Sequence, residues 1–106
     1  MNDKRSEVVA GVVLGEQETV TLDELAGLCT VERSWVVELV EQGVLEPVTA
    51  GRDEWFFPAA TLGRVQTAAR LRRDFELNAA GVALALDLLD EVESLRARLR
   101  TLEALF

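Results

Sequence analysis

Near the end of the chain, Leu88, Val92, Leu95, Leu99, Leu102 and Phe106 are spaced alternately by four and three residues. That alternation is the a/d seam of a coiled coil, and it demands one long helix with a narrow apolar edge. Asn78 is a suitable N-cap for this helix, with Ala79 and Ala80 behind it as strong helix formers. Arg96, Arg98 and Arg100 lie off the seam together with Glu91, Glu93 and Glu103, as in a solvated helix that pairs with another copy. The alternative is a seam folded back onto its own domain. A chain of 106 residues with 49% hydrophobic content can bury only one modest core, and the stretch after Val92 overhangs it. Self-association through the six seam residues is the favoured expectation.

Upstream, Thr21 and Glu24 form a Thr-x-x-Glu capping box, in which each side chain satisfies the other residue's unpaired backbone N–H. Leu22, Leu25 and Ala26 supply the buried stripe of a short helix. Cys29, Thr30 and Val31 make a tight turn into a second helix from about Glu32 to Gln42. Its apolar face is Trp35, Val36, Leu39 and Val40, and Gly43 is placed to stop it in a left-handed conformation. Two short helices joined by so tight a turn are a helix-turn-helix signature. The period then changes. Val44 to Val48, a turn-rich segment from Thr49 to Glu54, and Trp55-Phe56-Phe57 read as a β-hairpin wing. Pro58 is expected in the first turn of a third helix running from about Ala59 to Asp74, with Leu62, Val65, Ala69 and the stem of Arg72 along one stripe. The fold class is therefore mainly α: a winged helix-turn-helix over residues 19–77 with a short β-hairpin wing, then a long C-terminal dimerisation helix over residues 78–106. Residues 1–18 are expected to form a flexible arm, with an edge strand through its valines.

A net charge of −8 and a pI near 4.5 disfavour non-specific adhesion to nucleic acid or anionic lipid, both of which need Lys and Arg to neutralise phosphate. The single cysteine has no disulfide partner in the chain, which fits a reducing, cytoplasmic setting. The apolar run from Val8 to Leu14 is short, broken by Gly11 and followed by acidic residues. A signal peptide and a membrane span are not expected. Catalysis has no foothold: there is no histidine, Cys29 lacks a base, and no Gly-rich phosphate loop follows a strand. No catalytic residue, metal ligand or cofactor is expected. Cys29 reads as a small buried hydrophobe, and Trp35 and Trp55 read as core residues rather than platforms for bases.

Glu32, Glu38 and Glu41 occupy the helix where a DNA reader needs Arg, Lys, Asn or Gln. Two readings stand side by side. Either these carboxylates are only a soluble face, or the surface faces a basic protein partner. The rival function is a DNA-binding transcriptional regulator, with Arg33, Arg52 and the Arg70, Arg72 and Arg73 cluster touching phosphate. The simpler expectation for that cluster is pairing with nearby carboxylates such as Asp74 and Glu76.

Thr21 through Leu45, the wing, and a third helix ending in Leu71-Arg72-Arg73 resemble the winged-helix module of MerR-type regulators. More closely, Gln42-Gly43-Val44-Leu45-Glu46-Pro47, Trp55-Phe56-Phe57, the run from Ala69 to Leu77, Gly81 to Leu86, and Leu88-Leu89-Asp90-Glu91-Val92 resemble, in order and spacing, the chaperone-modulator family called CbpM. The resemblance implies a bacterial regulator that binds the J-domain of a CbpA/DnaJ-like co-chaperone and blocks its stimulation of the Hsp70 DnaK. An inhibitor covering a basic J-domain helix should be acidic and apolar. Glu38 and Glu41, with Asp87, Asp90 and Glu91 as a second acidic group, are the expected partner-binding residues. The N-terminal arm looks long for this family and no function is assigned to it.

Overall fold

The structure, a computed structural model, describes residues 6–9, 12–15, 18–48 and 54–106, the first two stretches as backbone only. The N-terminal stretches are two strands, β1 (Ser6–Val9) and β2 (Val12–Gly15), paired antiparallel with each other from Ser6↔Gly15 to Val9↔Val12. A single edge strand was the expectation for this segment. A third strand, β3 (Thr19–Thr21), leads directly into α1 (Leu22–Cys29).

The capping box forms as its spacing requires. Glu24 N donates to Thr21 Oγ1 at 3.1 Å and Thr21 N donates to Glu24 Oε1 at 2.9 Å. Thr30 closes α1 in the left-handed region, φ 55°, and Val31 N returns to Ala26 O at 3.0 Å. The chain reverses there and enters α2 (Arg33–Glu41) with Glu32 as its extended N-cap. Gly43 stops α2 at φ 79°, where a side chain would be strained, and Val44 N bonds back to Leu39 O at 2.9 Å. Val44 and Leu45 are buried immediately afterwards, which fixes the direction in which the wing leaves the helices.

The returning segment is β4 (Phe56–Pro58), and most of its pairing is with β3, which joins Val20 to Phe57. The expected partner strand contributes one bridge, Val48↔Phe56, made by bonds of 2.7 and 3.1 Å. The turn from Thr49 to Asp53, including Arg52, lies outside the described residues. Pro58 ends β4 instead of opening a helix. Since Val48 takes both backbone groups of Phe56 and Ala59 N donates to Glu18 O at 3.0 Å, a residue at 58 would aim its N–H at the open edge. Proline forfeits no ladder bond there.

Helix α3 (Thr61–Phe75) buries Leu62, Val65 and Ala68, so Ala68 takes the place on the stripe expected for Ala69, which is only half-buried. Glu76 ends it at φ 55°. Asn78 then caps α4 (Ala79–Ala104), accepting from Gly81 N at 2.8 Å. Leu25, Val36, Leu39, Phe57, Leu62, Val65 and Val82 are fully enclosed, and one core unites α1, α2, β4, α3 and the first two turns of α4. Each such side chain contributes about 1.5–3 kcal/mol by leaving water.

Only Ala79, Val82 and Leu86 of α4 are buried, and every residue from Asp87 onward is exposed. At about 100° per residue the seam centres roughly 150° round the helix from the Val82 and Leu86 edge. The same helix therefore docks on its own domain and presents Leu88, Val92, Leu95, Leu99, Leu102 and Phe106 away from it. None of the six folds back onto this core.

Candidate partner-binding surface

The exposed face of α2 is set by its buried one. Trp35, Val36 and Leu39 turn inward, so Glu38 and Glu41, three residues apart, share the opposite, solvent-facing side. Neither forms an ion pair among the described residues. Glu46, just beyond the Gly43 turn, is likewise exposed and makes no ion pair among the described residues.

The arginines near this helix are already committed. Arg33 Nε donates to Asp23 at 2.8 Å. The Arg72 guanidinium lies 3.9 Å from the centre of the Trp35 ring and donates to Glu32 at 3.0 Å. The pairing expected from sequence neighbours holds for Arg73, which bonds Asp74 at 3.0 Å, but Arg72 reaches forty residues back instead. Glu32 makes no side-chain capping bond to α2 and is tied to α3 through Arg72, so its carboxylate is not part of a free acidic face. Its own backbone N–H, then the Arg72 side chain, hold its carboxyl below the usual carboxylate range. Trp35 is unfit as a platform for bases, being buried with one ring face under Arg72.

The second acidic group divides. Asp87 and Glu91 are exposed on α4 without an ion pair among the described residues. Asp90 accepts from Arg64 at 3.3 Å, and Arg64 Nε also donates to Val44 O at 2.9 Å. That clamp joins α4 to α3 and to the residue just past the Gly43 turn. Nothing local in the sequence marks Arg64; both its partners are brought by tertiary packing.

Cys29 Sγ approaches Leu62 O at 3.8 Å, and burial pushes its thiol up to about 11. A neutral, packed thiol suits the hydrophobe expected at this position. Among the described residues no group of acidic, Cys or His side chains could hold a metal ion, and no helix is long and apolar enough to cross a membrane.

Two short helices across a tight turn, a β wing behind them and a long terminal helix define a winged helix-turn-helix protein. The profile of the MerR HTH family regulatory proteins matches residues 20–104. The chaperone modulatory protein CbpM of Coxiella burnetii (strain Dugway 5J108-111) is 37% identical over 97 residues, 92% of each chain. The proteins of the same name from Pseudomonas entomophila (strain L48) and Pseudomonas putida (strain W619) are 42% and 44% identical, over 63% and 59% of this chain and 66% and 62% of their own. The chain belongs to the CbpM-type chaperone-modulator branch of the MerR-like family. With 97 of 106 residues aligned, only nine are left over, so the Coxiella match reaches into the segment before Glu18.

Proposed function

We propose that this protein modulates a bacterial, cytoplasmic chaperone system by binding the J-domain of a CbpA/DnaJ-like co-chaperone and blocking its stimulation of the Hsp70 DnaK. One observation carries the reading: the second helix of the helix-turn-helix turns Glu38 and Glu41 outward, while Arg33 pairs with Asp23 at the surface and Arg72 stacks on Trp35 and bonds Glu32. A J-domain of this type presents a basic helix to the Hsp70, and a protein that covers it must offer carboxylates. DNA phosphate would meet the wrong charge. Asp87 and Glu91 extend the acidic surface along α4, with Asp90 shared between the partner and Arg64. The active form is a homodimer joined through the α4 seam.

Calorimetric titration with the isolated J-domain of a CbpA-type co-chaperone, paired with Hsp70 ATPase assays, tests this directly. Single alanine changes at Glu38 or Glu41 should be mild, because an exposed ion pair contributes about 0.2–1 kcal/mol. The double reversal Glu38→Lys with Glu41→Lys places like charges against the basic helix and should weaken binding severely. Asp87→Lys with Glu91→Lys is the cleaner reversal on α4, since a lysine at position 90 would also confront Arg64. Binding should weaken as salt rises, rim charges being screened over about 10 Å at 0.1 M. No detectable binding to the J-domain, binding indifferent to both reversals, or tight sequence-selective retention of duplex DNA would defeat the proposal.

A further inference from the structure

The exposed edge of α2 runs into an open groove of about 660 Å³ lined by Val40, Gly43, Leu45, Glu46, Pro47, Val48 and Pro58. We infer that this groove receives an apolar side chain of the partner's basic helix, the anchor beside which the helix's Lys or Arg residues meet Glu41 and Glu46. The inference rests on the J-domain reading and specifies where that helix lands.

Three features of the groove select this occupant. Its lining offers an apolar contact: Val48 is 51% exposed although its backbone is held by both bonds to Phe56, and it stands beside the buried Leu45. Two of the lining positions are also conformationally preset, because the only two prolines of the chain, Pro47 and Pro58, both line it. With φ locked at those positions, little order is lost when a ligand enters. Finally, the chemistry on offer is one-sided. Among the described residues Glu46 is the one charged lining residue, the prolines have no N–H, and Glu41 stands next to Val40 at the end of α2. The rim accepts hydrogen bonds and carries negative charge. A helix with a Lys or Arg face and an adjoining aliphatic or aromatic residue complements it, whereas an acidic peptide or a phosphate backbone does not.

The test is titration of the full-length protein and its Val48→Asp and Val48→Leu variants with the isolated J-domain, with thermal melts and light scattering on each. Because Val48 is exposed and contributes to the β-bridge only through its backbone, both variants should melt close to the parent. Val48→Asp should weaken binding roughly tenfold or more, the loss of one buried valine, while Val48→Leu binds like the parent. If Val48→Asp binds within twofold of the parent while Glu38→Lys with Glu41→Lys does not, the groove is no anchor site, and the J-domain reading survives. A change in mass with Val48→Asp would mean that a second copy of the chain fills the groove, and would overturn the inference. Failure of the parent itself to bind the J-domain would overturn both.

Discussion

Replacing Leu95 and Leu99 together by Asp should convert the proposed dimer into a folded monomer. The two leucines are 50% and 55% exposed in the single chain, so pairing would remove about half of each from water. Full burial of a leucine is worth about 1.5–3 kcal/mol, so half-burial is worth about 1 kcal/mol per side chain. A two-fold dimer carries each substitution twice. Four leucines lost cost about 4 kcal/mol, or about a thousandfold in the dissociation constant, before the added cost of desolvating four carboxylates. The core should persist, because its α4 contribution ends at Leu86. Light scattering or sedimentation at micromolar concentration reads the mass, and circular dichroism should show helix lost only from the overhanging end of α4. A variant with the parent's dimer mass would refute the reasoning. So would a monomeric parent, since the exposed seam would then need no partner.

Arg72→Ala removes the guanidinium from the Trp35 ring and from Glu32, and should destabilise the fold by about 1 kcal/mol while shifting tryptophan emission to the red; an unchanged melt and spectrum would show that the stack is idle. Raised by burial to about 11 from 9.0, the Cys29 thiol should react slowly with Ellman's reagent at pH 8 in the folded protein and quickly once it is unfolded. The sign for stability follows. Between about pH 9 and pH 11 the unfolded chain loses this proton and the folded one keeps it, so the Cys29 contribution is intact below that window and lost as pH rises through it. A Cys29→Ala variant should show a weaker alkaline decline than the parent.

Much of the fold was legible in the residues because its signals are local. The capping box at Thr21 and Glu24, the stop at Gly43, the N-cap at Asn78 and the four-three seam each involve residues within about a turn of one another. Backbone geometry over such distances leaves few alternatives, so the sequence by itself determined where α1 and α4 begin, where α2 ends and that the end of α4 carries an exposed apolar stripe, whereas Pro58, expected to open α3, ends β4. It also determined the acidic character of α2, since Glu38 and Glu41 fall opposite Trp35, Val36 and Leu39 by period alone. Pairings between distant residues were a different matter. That β4 lies along Thr19–Thr21 more than along Val48, that Arg72 chooses Glu32 over its neighbours, and that Arg64 clamps Asp90 to Val44 depend on where the core sets each helix and strand. Charged side chains are long and promiscuous, and any nearby carboxylate satisfies them on paper. Packing of Leu25, Leu39, Phe57, Leu62 and Val82 decides which one is within reach. The groove between α2 and the wing belongs to the same class: its walls come from Val40, Leu45, Val48 and Pro58, which share no period and meet only because Gly43 turns the chain and β4 returns beside it.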